Sequence, residues 1–414
     1  MSERYFENFM SEYVQEKAAV PGGIDEEDTQ QQDSLTQLLS LPYPTLSQKF
    51  KRVALDLKET IVVETWGFTG QKVEDPSLYT GTLGTAFLLL KSYQVSNNED
   101  DLNLCSEIIK ACDSAPSNPK VVSFLLGRVG VCALGAVIAN LQGNQQMVDY
   151  YLTQFKQIDI SKDDVQSEFI GGKAGYLWAC LFLNKNLGHG TIPSSHTGAI
   201  VDDIIEKGRR LGEKGRCPLI YESNGERYWG VAHGLTGIMH VLMHFELKPD
   251  DRADVKNTLK YMIDNRFASG NYPRDEEMKS DELVYWCHGA PGVALTLVKA
   301  AEVFEDKDMI KAAIDAANVV WTRGLLKKVG LCHGISGNAY VFLSIYRMTG
   351  HVEYLHKAKA FGCFLLDRAH KLISEGEMHG GDTPYSLFEG LGGMAYMFLD
   401  MSDPVNARFP AYEL

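Results

Sequence analysis

Two short runs in this 414-residue chain set cysteine, histidine and glycine side by side, Cys287-His288-Gly289 and Cys332-His333-Gly334. A third, Trp229-Gly-Val-Ala-His233-Gly234, ends on histidine and glycine without the cysteine. Two thiolates and an imidazole are a borderline-soft donor set that suits Zn2+. Three protein ligands leave a fourth position open, the mark of a catalytic zinc, whereas His288 as a fourth ligand would close the site and make it structural. Taken alone, the cysteines read equally well as small buried hydrophobes. His233 suits proton transfer, because an imidazole titrates near working pH.

These runs share a position in a larger pattern. Seven pairs of glycines separated by two residues recur along the chain, at Gly81/Gly84, Gly127/Gly130, Gly172/Gly175, Gly234/Gly237, Gly289/Gly292, Gly334/Gly337 and Gly390/Gly393. Successive pairs lie 45 to 62 residues apart. Each opens an apolar run of helical length, such as TAFLLLKSY after Gly84 or NAYVFLSIY after Gly337, apolar nearly all round and therefore expected to be buried. Between them lie seven amphipathic segments, Gln48–Glu64, Leu102–Ala111, Met147–Ile158, Ala199–Leu211, Ala253–Phe267, Met309–Arg323 and Glu353–Leu372, expected as surface helices. Close helix packing alone would also use GxxG, but it does not account for the recurrence before every apolar run.

The pattern predicts an all-α protein, an (α/α)7 double-ring toroid with buried helices inside and amphipathic ones outside. The glycines would let the chain turn tightly into each inner helix and leave free N–H groups there. Residues just before each GxxG should then meet at one mouth. The first three repeats bring mostly neutral residues there, Tyr79-Thr80, Leu126 and Ile170-Gly171, while the last four bring His233, Cys287-His288, Cys332-His333 and Phe388-Glu389. Residues 46–414 read as this one domain. Residues 1–45 read as a partly disordered tail, with Pro21–Ser34 the disordered stretch and Arg4–Asn8 a segment able to dock.

Composition narrows the function classes. A formal charge of −14 and the lack of any basic run argue against nucleic acid. No run approaches the ~20 apolar residues of a membrane span, and residues 1–19 lack a signal peptide's apolar core. Eight cysteines in so long a chain are not a disulfide framework, which points to a reducing, cytoplasmic setting with membrane association at most peripheral. The six cysteines outside the two runs, and the remaining histidines, including His240 and His244, read as packing, surface or helix-face residues.

The seven GxxG repeats, with Trp286-Cys287-His288-Gly289, Cys332-His333-Gly334 and Trp229-Gly-Val-Ala-His233-Gly234, resemble the lanthionine synthetase C-like family. The segment Asp382-Thr-Pro-Tyr-Ser-Leu-Phe-Glu-Gly390 is similar to the family's eukaryotic branch, plant members included. The resemblance implies that Cys287, Cys332 and His333 hold one zinc ion, that His288 and Glu389 stand behind them, and that His233 transfers the proton. It also links Lys327, Lys328 and Asp382 to glutathione contact, with Arg4 of the docking tail beside them. Bacterial members cyclise peptides by adding cysteine thiolates to dehydroalanine or dehydrobutyrine, and eukaryotic members are similar to enzymes that add glutathione to such residues. Two positions depart from the pattern: Leu283 stands where bacterial cyclases carry arginine, and His379 where animal relatives carry another basic residue.

The implied activity is zinc-dependent addition of glutathione, or another thiol, to a dehydroamino acid in a peptide or protein. The alternative implied by the resemblance is a non-enzymatic zinc- and glutathione-binding sensor or adaptor in signalling, abscisic-acid signalling included. Glycoside hydrolysis, which α/α toroids also host, needs a pair of carboxylates across the mouth, and Glu389 alone is evident there.

Overall fold

The computed structural model describes residues 4–13, 33–161, 165–213 and 215–414. Among them are fifteen α-helices and no strand, only isolated bridges between loops. The helices are α1 (Ser34–Ser40), α2 (Tyr43–Val62), α3 (Thr82–Ser96), α4 (Glu99–Ser114), α5 (Arg128–Leu141), α6 (Gln145–Lys156), α7 (Lys173–Leu187), α8 (Ser194–Gly212), α9 (Leu235–Leu242), α10 (Pro249–Asp264), α11 (Ala290–Phe304), α12 (Lys307–Arg323), α13 (Ile335–Thr349), α14 (Val352–Ser374) and α15 (Leu391–Asp400). Most of the stretch expected to be disordered lies outside the described residues. Of its last two, Asp33 pairs with Arg368 and Ser34 begins α1.

The odd-numbered helices from α3 to α15 are the apolar runs, buried on most faces. They pack side by side in chain order, and α15 returns to α3, so the inner ring closes. Each is backed by the amphipathic helix that follows it, α4 on α3 through α14 on α13. The outer partner of α15 is α2, from the other end of the chain. One helix from the N-terminal part thus completes the last pair of the ring.

All seven inner helices have the first glycine of a GxxG as N-cap, with no side chain capping the end. The expected free N–H groups are in part used. The first helical N–H of α9 donates to the carbonyl of Tyr228 at 3.1 Å, that of α13 to Lys328 at 3.0 Å and that of α15 to Pro384 at 2.7 Å. The loop before each helix arches back and caps it with main chain. The second glycine serves this arch, because a Cβ there would lie 1.8 to 2.6 Å from the carbonyl oxygen six residues earlier in all seven repeats. That is closer than any non-bonded contact.

Neighbouring arches are stitched to one another. Trp286 N donates to Cys332 O at 3.0 Å, Cys332 N to Phe388 O at 2.8 Å, and Phe388 N to Tyr79 O at 3.1 Å. Tyr79 N in turn reaches Leu125 O, Val122 N reaches Gly171 O, and Ile170 N reaches Ala232 O. A belt of backbone hydrogen bonds therefore runs from loop to loop around one mouth.

The segment after α15 turns back into the ring. Tyr412 is fully buried, its carbonyl accepting from the Trp178 indole of α7 at 2.8 Å and facing His240 Nε2 of α9 at 3.1 Å. Its hydroxyl meets Thr296 of α11 at 2.5 Å, and Phe409 packs on Tyr340 of α13. His240, expected on a helix face, is enclosed here because the tail covers it. At the other terminus, Phe6 N donates to Leu325 O and Lys327 N to Arg4 O, which docks residues 4–8 beside the loop before α13. No helix among the described residues is long and apolar enough to cross a membrane.

Two predictions follow from packing. Gly337→Ala pushes a methyl onto the Leu331 carbonyl, 1.8 Å from the ideal Cβ, and should lose at least about 2 kcal/mol in urea denaturation. Gly198→Ala, at a helical position with open space, should be neutral or more stable by up to about 1 kcal/mol. Burial holds the His240 imidazole down to about 3, and burial with the His240 and Lys299 charges holds His244 down to about 2. The unfolded chain binds protons at both from about pH 6.5 downward while the folded chain does not, so stability is full above pH 6.5 and falls on acidification. Between pH 7 and 5 the loss should be on the order of 2 kcal/mol per histidine, and His240→Gln should flatten that slope.

Candidate metal centre and active site

Cys287 and Cys332 each lie two residues before the glycine that caps α11 and α13. Their main chains belong to the belt, and their side chains are buried at 3% and 1% exposure. One ligand atom from each of Cys287, Cys332 and His333 lies within 4.8 Å of the others, and Cys332 Sγ is 3.6 Å from His333 Nε2. Among the described residues no fourth histidine, cysteine or carboxylate joins this group, so His288 is not part of it.

The electrostatics fit a cation. Burial pushes the Cys287 thiol up, and sharing a proton with Cys332 pushes it further. Burial acts the same way on Cys332, but the hydrogen bond from Cys287 and the His333 charge outweigh it and hold that thiol well below its usual range. His333 moves up despite burial because the Cys332 thiolate faces it, with Lys328 opposing and Glu389 supporting. Two buried sulfurs and an imidazole at this spacing are a metal donor set with no fourth protein ligand among the described residues.

Backbone freedom is needed at two points. Gly289 adopts φ +105°, a conformation that side chains disfavour, and its Cβ would strike the Leu283 carbonyl. At Gly230 a Cβ would lie 2.0 Å from the Cys287 carbonyl oxygen and 2.7 Å from His288 Nδ1. The loop carrying His233 therefore lies directly on the loop carrying Cys287.

His233 Nδ1 is 2.5 Å from Glu168 Oε2, and the same oxygen accepts from the Ser223 hydroxyl at 2.9 Å. The Glu168 side chain is mostly buried. A carboxylate on Nδ1 fixes the tautomer and orientation of the ring and leaves Nε2 for exchange. Tyr228 contacts both His233 and His288, with ring centroids at 5.4 and 5.9 Å. Burial, then the charges of His233 and His333, hold His288 down to about 4. Its buried Nδ1 has no hydrogen-bond partner among the described residues. The mouth thus unites His233, His288, Cys287, Cys332, His333 and Glu389.

The remaining residues implied in glutathione contact form an adjoining rim. Arg4 pairs with Glu282 at 3.0 Å, and the Lys327 ammonium lies over the Phe6 ring at 5.5 Å. Lys328 bridges to His379, whose N–H donates to Lys327 O at 2.8 Å. Asp382 is exposed, with His379 Nε2 3.9 Å from it. Glu389 accepts from Thr383 at 3.2 Å.

Sequence reasoning missed Glu168, Ser223 and Tyr228, and treated Tyr79 as neutral filler. Glu168 stands four residues before Gly172, outside the two positions inspected in each repeat. An acid anywhere in the loop before a GxxG was the signal that could have found it. Tyr79 stacks on Phe388 at 4.8 Å, and burial, then the Cys332 and Cys287 sulfurs, raise its hydroxyl's pKa.

Residues 72–414 match the family described as lanthionine synthetase C-like protein. The chain is 44% identical to LanC-like protein GCL1 of Arabidopsis thaliana, over 94% of this chain and 95% of that one. It is 33% identical to a protein of Danio rerio named glutathione S-transferase LANCL1, over 89% and 93% of the two chains. The solved structure of nisin cyclase superposes with a TM-score of 0.65 at 13% identity, over 86% of this chain and 95% of that one, a likeness of fold. The chain belongs to the lanthionine synthetase C-like family.

Proposed function

We propose that the protein adds a thiol, glutathione foremost, to dehydroalanine or dehydrobutyrine residues of a peptide or protein, with zinc held by Cys287, Cys332 and His333. The observation that carries this reading is the grouping of Cys287, Cys332 and His333 near the Glu168–His233 pair at one mouth. A relative named for glutathione S-transferase activity, aligned over most of both chains, supports the choice of thiol.

Zinc in this donor set would lower a bound thiol's pKa and keep it as thiolate at neutral pH. Lys327, Lys328 and Arg4 stand on the rim next to His333 and would hold glutathione carboxylates there, the lysines as point charges. Asp382 on the same rim would take the amino group. The thiolate sulfur forms a bond to Cβ of the dehydroamino acid, and the π electrons move to Cα and its carbonyl. His233 Nε2 delivers a proton to Cα, while Glu168 holds Nδ1 and stabilises the ring when charged. The proton released by the thiol restores His233, so the net change is addition of a thiol across one double bond. The overall acidic charge of the chain does not oppose a glutathione anion, because groups within a Debye length decide.

Purified protein should contain one zinc per chain. Cys332→Ala should lose it and His288→Ala should keep it, as measured by elemental analysis on folded samples. Zinc loss in His288→Ala equal to that in Cys332→Ala would overturn the open-site reading. His233→Ala should retain zinc and helicity yet form thioether about 10²–10⁴-fold more slowly, mainly in kcat, with product followed by mass spectrometry. Unchanged turnover in zinc-replete His233→Ala would remove it from the mechanism. Zinc-loaded wild-type protein that joins no thiol to any dehydroamino acid would favour the sensor role.

A further inference from the structure

A Michael addition divides its substrates in space. The sulfur bonds to Cβ, and the proton arrives at Cα, one carbon further on. Cα is also where the polypeptide main chain runs. The partner of the metal cluster is therefore the thiol, and the partner of His233 is the peptide. Whatever holds the residues flanking the dehydroamino acid must begin at His233 and lead away from the sulfurs.

Such a feature lies beside His233. A groove of about 350 Å³ is walled by the loop holding Glu168, by the turn at Glu222 and Ser223, and by the end of α8 with Lys207, Arg210 and Leu211. His233 stands at its inner edge. Its charges are divided between the walls. On the loop side the Glu168 carboxylate is engaged by His233 and Ser223. On the α8 side Asp203 is shared by Lys173 at 2.8 Å and Lys207 at 3.2 Å, one carboxylate for two ammonium groups. Arg210 is exposed on the groove and has no ion-pair partner among the described residues. The α8 wall thus presents Lys207 and Arg210 to the groove, while Glu222 stands on the other wall.

We infer that this groove binds the polypeptide flanking the dehydroamino acid and that Arg210, with Lys207 behind it, selects acidic side chains there. This rests on the thiol-addition reading above. The glutathione rim of Arg4, Lys327 and Lys328 adjoins His333, and the groove adjoins His233, so each substrate has its own cationic anchor. Glu222 across the groove disfavours a second acidic residue on that wall and so sets the orientation of the peptide.

The test uses the full-length, zinc-loaded protein with glutathione and three electrophiles. These are N-acetyldehydroalanine methylamide, too short to enter the groove, and two heptapeptides with central dehydroalanine flanked by glutamates or by lysines. Thioether from the methylamide reports the chemistry by itself, and its absence overturns the thiol-addition reading and the groove with it. With the chemistry present, kcat/KM should favour the glutamate peptide by about three- to fivefold at low salt, the range of half-exposed ion pairs, and the preference should shrink at high salt. Arg210→Glu should invert the preference, and Arg210→Lys should preserve its direction. A wild type indifferent to flanking charge, or an Arg210→Glu variant that slows both peptides by the same factor, overturns the groove assignment alone.

Discussion

Main chain touching main chain fixes the distance between neighbouring loops at the mouth. Each inner helix starts beneath an arch whose carbonyl rests where a Cβ would be, and the arches hydrogen-bond to one another around the ring. A side-chain contact could slacken by changing rotamer, whereas a carbonyl packed on a glycine Cα has no such freedom. Because backbone supplies the contacts between arches, the side chains one and two places before each glycine can differ from repeat to repeat, Tyr79 and Phe388 serving packing. Cys287, His288, Cys332, His333 and His233 occupy those places. The chemistry sits on positions that the architecture leaves open.

A ring also needs its seam closed and its centre filled, and the two ends of the chain do this. Closing α15 against α3 leaves α15 without an outer helix until α2 packs on it. The last residues then occupy the inside of the ring, where Phe409 stacks on Trp286 at 5.0 Å and Phe388 packs on Trp286 at 5.4 Å. Trp286 immediately precedes Cys287, and the Phe388 carbonyl accepts from Cys332 N. Phe409 of the C-terminal segment and Phe388 of the loop before α15 thus pack beneath the candidate metal site. Local opening of the tail would loosen both cysteines at once, which ties the order of the site to the stability of the whole ring.

The repeat made the architecture legible because seven equivalent arches need seven equivalent glycine pairs, and no other residue fits them. The same phase put Cys287 and Cys332 at one register position, and the fold brings them together with His333 as a candidate metal site. What stayed hidden follows from physics that has no period. Glu168 acts from an arch four residues ahead of its glycine, and only the fold brings it to His233, 65 positions later. His240 reads as an ordinary helix-face residue because its cover, Tyr412, is 172 positions away in sequence. The pairing of α2 with α15 was equally invisible, since alternation of outer and inner helices is the same whichever neighbour each outer helix backs.

Under the proposed function, the mouth lets an acidic protein gather two anionic substrates without general attraction for anions. Charge is local here: Arg4, Lys327 and Lys328 lie together on the loop before α13 and the docked tail, while Lys207 and Arg210 lie on α8 beyond His233. Between them stand sulfurs and imidazoles that carry charge only in answer to one another. At about 8 Å screening in physiological salt, each cluster is felt mainly by a ligand already at the mouth. Capture thus depends on fit at short range. Under the proposed function, with free thiol at one edge and polypeptide at the other, that is a gain, because neither substrate is drawn into the other's place.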